Sequence, residues 1–87
     1  MVERTVVLTN ETGLHARPAN EFTKEANKYR SKITIQKNGE QFNAKSIISI
    51  LSMGADKGTQ ISIIAEGEDE DQAVEALAKL VNSSFGE

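Results

Sequence analysis

Gly13-Leu14-His15-Ala16-Arg17-Pro18 joins a strand-like segment to a helix-like segment, and it determines how the chain turns from one to the other. Before it, residues 2–8 are rich in Val, Thr and Leu, which favour a strand. After it, apolar residues recur at helical spacing as far as about Tyr29. Pro18 suits the first turn of a helix, because its missing N–H would have no partner there. The hexapeptide therefore predicts a strand, a tight turn and a helix that begins at about Ala16.

His15 is the only histidine of the chain, and it lies at the start of this predicted helix. Neither His15 nor Ala16 is a usual N-cap residue, so the first backbone N–H groups should stay free. Free amides at a helix N-terminus attract anions, and Arg17 adds a positive charge. The same positive charge disfavours an imidazolium, so the ring should be neutral and nucleophilic. A polar turn residue is the alternative, but the Gly, Arg and Pro spacing favours a phosphoryl acceptor whose oxygens lie near the amides of Ala16 and Arg17.

The hexapeptide closely resembles the active-site signature of the histidine-containing phosphocarrier protein (HPr) family of the bacterial phosphoenolpyruvate-dependent sugar phosphotransferase system. Asn43-Ala44-Lys45-Ser46-Ile47 and Ser52-Met53-Gly54 resemble the second motif of that family, around its regulatory serine. The spacing of the two motifs also fits, and the likeness covers the whole chain. Ile48 and Ser49 replace the methionine and glycine of many relatives, a departure that bears on binding to a transcriptional regulator.

The resemblance implies a function as well as a fold. His15 would accept phosphate, on Nδ1, from the phosphoenolpyruvate-charged first enzyme and pass it to sugar-specific transporter components. The protein would then be a covalent intermediate rather than an enzyme with its own turnover. Ser46 would be phosphorylated by a serine kinase/phosphorylase, and a transcriptional regulator is a further possible partner.

The amino-acid composition limits the classes of protein to which the chain can belong. The chain has 87 residues, 38% of them hydrophobic and 26% charged, which is typical of one soluble globular domain, residues 1–87. It has no cysteine and one histidine, so neither a metal site nor a thiol site is expected, and no cofactor is required. No apolar run approaches the ~20 residues of a membrane span, and a signal-peptide core is missing, so a cytoplasmic protein without membrane contact is expected. We also expect a monomer.

Two other functions compete with the phosphocarrier. A regulatory relative that works only through a phosphoserine would lack the active-site histidine, so His15 argues against it. A nucleic-acid-binding module usually has a basic excess and stacking aromatic residues. This chain has a net charge of −3 and few aromatic side chains, so direct nucleic-acid binding is not expected.

Two surfaces could bind protein partners. Arg17, Lys24 and Lys28 would form a basic stripe along the first helix, suited to an acidic partner, or a solvated face paired with glutamates. The short helix from Ser46, its predicted N-cap, to Met53 is too apolar for one buried stripe. We therefore expect some of its large apolar side chains, Ile47, Ile48, Leu51 and Met53, to be exposed and to mark an interface rather than to lie under a covering loop.

The remaining segments complete the predicted fold. Strands at residues 32–37 and 40–44 flank Asn38-Gly39, a type I′ hairpin signal, and a last strand covers residues 60–66. Asp69-Glu70-Asp71-Gln72 resembles a capping box for a third helix. The tail from Asn82 to Glu87 should fray, although Phe85 could dock. The order β-α-β-β-α-β-α predicts an α+β, two-layer open-faced sandwich, in which three helices pack on one face of a four-stranded antiparallel sheet.

Overall fold

Segments with alternating apolar and polar residues form one antiparallel sheet in the computed structural model, which describes residues 1–87. In chain order the elements are β1 (Val2–Val7), α1 (Ala16–Ala26), β2 (Lys32–Lys37), β3 (Glu40–Asn43), α2 (Ile47–Met53), β4 (Gln60–Glu66), α3 (Glu70–Asn82) and a 3-10 turn at Ser84–Gly86. The strand order across the sheet is β1-β4-β2-β3. The predicted fold class and element order are therefore confirmed. None of the three helices is long and apolar enough to pass through a lipid bilayer.

The hydrophobic core lies between one face of the sheet and the helices. The strand register places Val6 opposite Ile61 and Ile35 opposite Ile63, so the apolar side chains of three strands line the same face. The helices cover this face with residues three or four positions apart, namely Ala19, Phe22 and Ala26 of α1 and Ala73, Val74, Leu77, Ala78 and Val81 of α3. Burial of a side chain such as Phe22, which has no exposed surface, stabilises the fold by roughly 1.5–3 kcal/mol.

Helix α1 ends three residues earlier than its sequence predicts. It stops at Ala26 rather than at Tyr29, and Asn27 takes the C-cap position. The side-chain amide of Asn27 donates to the carbonyl oxygens of Thr23, at 2.9 Å, and Lys45, at 3.2 Å. Because asparagine offers the backbone such a partner, it ends a helix more readily than the apolar spacing suggests. The same contact ties the end of α1 to the loop that precedes α2.

The tail after α3 is ordered, so the prediction that it frays is wrong. Phe85 is only 3% exposed, which confirms that it docks against the core. The hydroxyl oxygens of Ser84 and Thr9 lie 2.6 Å apart and hold the 3-10 turn against the end of β1. This anchoring brings Glu87 close to the turn that precedes α1.

Asp69 does not cap α3 with its side chain, contrary to the capping-box prediction. It occupies the N-cap position, but its carboxylate accepts hydrogen bonds from the Ser31 hydroxyl and from the backbone N–H groups of Arg30 and Ser31. Gln72, the other residue of the predicted motif, makes no side-chain hydrogen bond either; it is Oε1 of Glu70 that accepts from the backbone N–H of Gly67, at 3.0 Å. Asp69 thus fastens the start of α3 to the loop between α1 and β2.

This fastening predicts a pH dependence of stability. Hydrogen bonds from the Ser31 hydroxyl and then the Arg30 amide lower the pKa of Asp69 from 3.8 to about 2. Since the pKa is lower in the folded state, the carboxylate stabilises the fold above about pH 4, and this contribution is lost as the pH falls towards 2. In Asp69→Asn, the free energy of unfolding should be lower at pH 7 and should change less between pH 4 and pH 2.

Chemical denaturation at a series of pH values measures both effects, and Asp71→Asn is the matched control. Asp71 is the neighbouring exposed acid, and its side chain makes no hydrogen bond in the structure. Part of the decrease in the free energy of unfolding at acid pH should persist in Asp69→Asn, because the Gly67 amide also lowers the pKa of Glu70. Identical pH slopes for the wild type and Asp69→Asn would contradict the assignment.

Candidate functional site

The turn between β1 and α1 is in direct backbone contact with the loop between α2 and β4. Gly13 adopts a left-handed φ of +63°, and a Cβ atom added to it would lie 2.4 Å from the carbonyl oxygen of Ala55. That carbonyl also accepts a hydrogen bond of 2.9 Å from the backbone N–H of Leu14. Only glycine permits both the dihedral angle and the approach. The glycine of the hexapeptide therefore sets the distance between the two loops.

Asn10 supports the same turn from inside. It is 2% exposed, and its side-chain amide donates to the carbonyl oxygen of Gly13 at 2.9 Å. The backbone N–H of Gly13 returns a bond of 3.2 Å to the carbonyl oxygen of Asn10. The sequence identified this residue only as part of a turn, because nothing local shows that its side chain is buried. These two bonds fix the chain immediately before His15.

His15 occupies the N-cap position of α1 in extended backbone and makes no side-chain capping bond, as predicted. The backbone N–H groups of Ala16 and Arg17 donate to no protein group, so both remain available to an anion. Ala16 has a left-handed φ of +50°, which costs on the order of 1 kcal/mol in a residue other than glycine. The structure therefore holds an imidazole beside two free amides at a strained junction.

Asp56 contacts the imidazole, although no local sequence pattern predicts this contact. Its Oδ1 lies 2.9 Å from Nε2 of His15, while Nδ1 of the ring takes part in no hydrogen bond. Asp56 lies 41 positions after His15 in the sequence. It falls between Gly54 and Gly58, in a segment whose composition is typical of an ordinary exposed turn. Only the contact between the two loops reveals the pair.

Arg17 is held by carboxylates at the edge of the site. Its Nη1 donates to Oε1 of Glu21 at 2.6 Å, one helical turn away, and its Nη2 lies 3.9 Å from Oε2 of Glu87. The same oxygen of Glu87 accepts a bond of 3.0 Å from the hydroxyl of Thr12. Thr12 and Glu87 were missed because the tail was expected to fray. The guanidinium is 58% exposed and can therefore turn towards an incoming anion.

The basic stripe along α1 has features of both predicted surfaces: lysine paired with glutamate on a solvated face, and positive charge left free for an acidic partner. Lys28 pairs with Glu25 at 3.1 Å, as expected for a solvated helix face. Lys24 is exposed and forms no ion pair, so it is the free positive charge between two neutralised ones. An acidic partner would meet this lysine on the face that continues from Arg17.

Ser46 caps α2, as predicted. Its hydroxyl oxygen accepts a hydrogen bond of 3.3 Å from the backbone N–H of Ser49. The hydroxyl of Ser49 in turn accepts from the backbone N–H of Asn43 at 3.0 Å, which steadies the loop that leads into the helix. Ser46 is half-buried, and α2 packs against α1, so the serine and the histidine belong to neighbouring elements.

Some of the four apolar side chains of α2 are exposed, as predicted, but Met53 is not among them. Ile48 and Leu51 are 76% and 43% exposed, and Ile47 is half-buried; we call these three residues the α2 patch. Met53 is only 4% exposed, so its assignment to a partner surface is wrong. The reason is its position three residues after Ile50, which places both side chains on the inward face of the helix.

Comparison with known proteins relates the whole chain to one group. Residues 2–83 match the family model described as "PTS HPr component phosphorylation site". The chain is 39% identical over 87 residues to the phosphocarrier protein HPr of Neisseria meningitidis, covering 100% of this chain and 98% of that protein.

Two solved structures illustrate the likeness of fold. One is a crystal structure of HPr from Thermoanaerobacter tengcongensis, with a TM-score of 0.98, 46% identity and coverage of 100% and 98%. The other is Crh, the catabolite repression protein of Bacillus subtilis, described as a swapping-domain dimer, with a TM-score of 0.77, 43% identity and 97% coverage of both chains.

Proposed function

This chain belongs to the HPr family, the phosphocarrier proteins of the phosphotransferase system, and on that premise we propose that His15 is the residue that carries its phosphoryl group. The group comes from the phosphoenolpyruvate-charged first enzyme and passes to sugar-specific transporter components. The observation that supports this proposal is the position of the His15 imidazole beside the free amides of Ala16 and Arg17. Family members are carriers and not enzymes with their own turnover, so the phosphohistidine is the functional form of the protein.

In the proposed transfer, the lone pair of Nδ1 attacks phosphorus, the N–P bond forms, and the bond from phosphorus to the donor breaks with its electrons. The phosphoryl oxygens then lie at the N-terminus of α1, where the amides and the helix dipole favour negative charge. Arg17 leaves Glu21 and pairs with the phosphoryl group as it arrives and departs. Pro18 keeps this helix start in place through its fixed φ.

A carrier also has to release what it binds. Each 1.4 kcal/mol of extra stabilisation of the phosphorylated form lowers the equilibrium for onward transfer about tenfold. A single arginine that already has carboxylate partners, together with a few amides on an open surface, binds the phosphoryl group only moderately. This arrangement suits reversible transfer better than a deep cationic pocket would.

The direct test is to incubate the purified protein with phosphoenolpyruvate and the first enzyme of the system. The label should be acid-labile, as expected for a phosphohistidine, and peptide mapping should place it on His15. Acid-stable label alone, or label elsewhere in the chain, would contradict the proposal.

The partner surface in this proposal combines Lys24, Lys28 and the α2 patch. Lys24 supplies a free charge for an acidic partner, and the exposed apolar side chains of α2 supply area for burial. Two exposed large apolar residues, Ile48 and Leu51, are few for a permanent dimer interface. We therefore infer that the α2 patch meets partners transiently. The cytoplasmic monomer, with no direct role for nucleic acid or membrane, stays a prediction from the sequence.

Ser46 is the regulatory site in this proposal, modified by a serine kinase/phosphorylase. A phosphate there would lie at the N-terminus of α2, where the helix dipole tolerates a dianion, so the helix should stay folded. It would also add negative charge beside Ile47 and Ile48, on the surface offered to partners. A transcriptional regulator could read that charge, while acidic partners would be repelled by it.

Ser46→Asp should fold normally and accept phosphate at His15 more slowly than the wild type. The loss should come from weaker binding to the first enzyme, because the added charge lies on α2 and not at the imidazole. Steady-state transfer at low and high salt measures it. Added salt should narrow the difference, since charges are screened over about 8–10 Å at ordinary ionic strength.

Ser46→Ala is the matched control. It loses the capping bond to Ser49, at a cost of about 1 kcal/mol in stability, but adds no charge and should accept phosphate at the wild-type rate. Equal rates for Ser46→Asp and the wild type at low salt would refute the regulatory role.

A further inference from the structure

The structure assigns to Asp56 the role of a positioning residue that holds the ring proton of His15 on Nε2 and thereby presents the lone pair of Nδ1 to the phosphoryl donor. The assignment deepens the phosphocarrier function proposed above and rests on it. Its starting point is the distance of 2.9 Å between Oδ1 of Asp56 and Nε2 of His15.

The contact follows from how the two loops are joined. Leu14 donates its backbone N–H to the carbonyl of Ala55 at 2.9 Å. His15 directly follows Leu14 in one loop, and Asp56 directly follows Ala55 in the other. Gly13 brings the backbones together, since a Cβ atom there would lie 2.7 Å from the Cα atom of Asp56. The backbone therefore places Asp56 opposite the imidazole before any side-chain interaction forms.

A second link between the same loops keeps them in this register. Nζ of Lys57, the residue after Asp56, lies 2.9 Å from Oε1 of Glu11, in the turn that precedes α1. The Asp56 loop is also closed on itself, because the backbone N–H of Thr59 donates to the carbonyl of Asp56 at 3.0 Å. Asp56 thus projects from a braced turn, although its side chain is exposed.

The chemical consequence concerns which ring nitrogen can react. A neutral imidazole carries one proton, and the nitrogen without it holds the nucleophilic lone pair. An ionised carboxylate only accepts hydrogen bonds, so Asp56 favours the tautomer with the proton on Nε2. Nδ1, which makes no other hydrogen bond, is then the nucleophile.

The same carboxylate serves both directions of transfer. When Nδ1 forms its bond to phosphorus, the ring with a proton on Nε2 becomes positively charged, and Asp56 lies beside that charge. When the phosphoryl group leaves, the N–P bond breaks and its electron pair returns to Nδ1, while the Nε2 proton stays in its hydrogen bond. Neither step then requires a proton to enter or leave the ring.

The size of the effect should be modest, because the Asp56 side chain is 82% exposed and water screens exposed pairs. We expect Asp56→Ala to slow phosphoryl transfer to and from His15 by about two- to fivefold, the range that weak surface pairs supply. Asp56→Asn keeps an oxygen that can accept from Nε2–H, so it should preserve the tautomer but transfer more slowly than the wild type.

The experiment combines nitrogen NMR of the labelled His15 ring with transfer kinetics, on the full chain in both phosphorylation states. In the unphosphorylated wild type, the ring should contain more of the Nε2–H tautomer than a free histidine, and its Nε2 proton should exchange more slowly than in Asp56→Ala. Asp56→Ala should shift the tautomer populations towards those of a free histidine and speed up the exchange. In the phosphorylated protein, the Nε2 proton should likewise exchange faster in the variant than in the wild type.

Asp71→Ala is the matched control, because it removes an exposed carboxylate of α3 that makes no hydrogen bond and does not join the two loops. It should leave the ring spectrum and the transfer rates unchanged. A wild-type ring spectrum and wild-type rates in Asp56→Ala would overturn the assignment. The spectrum of the unphosphorylated protein tests the contact independently, so a failure of His15 to accept phosphate would refute the proposed function and not this pairing.

Discussion

His15→Ala is expected to abolish phosphoenolpyruvate-dependent labelling while leaving the fold intact. The chain has one histidine, so no second imidazole can replace it. The side chain is 37% exposed and makes one polar contact, to Asp56, so its removal should change the free energy of unfolding by no more than about 0.5 kcal/mol. Labelling with the first enzyme and thermal unfolding together measure the two properties.

Asn20→Ala is a suitable control, because Asn20 is an exposed residue of α1 whose side chain makes no hydrogen bond. It should be labelled like the wild type and unfold at a similar temperature. Label on a folded His15→Ala protein would place the carrier site elsewhere and remove the basis of the proposed function.

Arg17→Ala is expected to slow transfer by about 10- to 1000-fold, the order of magnitude for losing a charged group that stabilises a transferring phosphoryl group. Arg17→Lys should recover only part of the rate, because an ammonium cannot reproduce the two parallel bonds of a guanidinium. The fold should tolerate both changes, since the ion pairs of Arg17 are exposed.

Rapid-quench measurement of transfer from the phosphorylated first enzyme tests this expectation. Arg4→Ala is the matched control: it removes an exposed arginine that pairs with Glu75 of α3, away from the imidazole. If Arg17→Ala and Arg4→Ala transferred at the same rate, Arg17 would be only a solvated side chain.

Local patterns were sufficient to predict most of the fold. Alternation in β2 and β4, the Asn38-Gly39 turn and the helical spacing of α3 each reflect forces that act within a few residues, and all of these elements were confirmed. The errors arose where a side chain finds a distant partner. Asn27 ends α1 by bonding to Lys45, and Asp69 bonds to the α1–β2 loop instead of capping its own helix.

The candidate site was predictable only where it is continuous in sequence. His15, Ala16, Arg17 and Pro18 are consecutive, and their chemistry depends on a helix start that the sequence itself signals. Asp56 and Glu87 reach the site through the packing of a loop and of a tail, and no local pattern marks either. Met53 shows that the prediction of an exposed surface from local sequence is limited in the same way, because the inward face of a seven-residue helix depends on the elements that it packs against.

The strand order β1-β4-β2-β3 has a consequence for how the chain folds as it is synthesised. Strands β2 and β3 pair across a two-residue turn, so their hairpin can close as soon as both have been made. Strand β1 has no such neighbour, because Val2 pairs with Ala65 and Val7 with Gln60. At translation rates of about 5–20 residues per second, β1 waits on the order of 3–13 s for its partner. The first strand to leave the ribosome therefore cannot join the sheet before β4 has been made, and its backbone stays open to another chain throughout that interval.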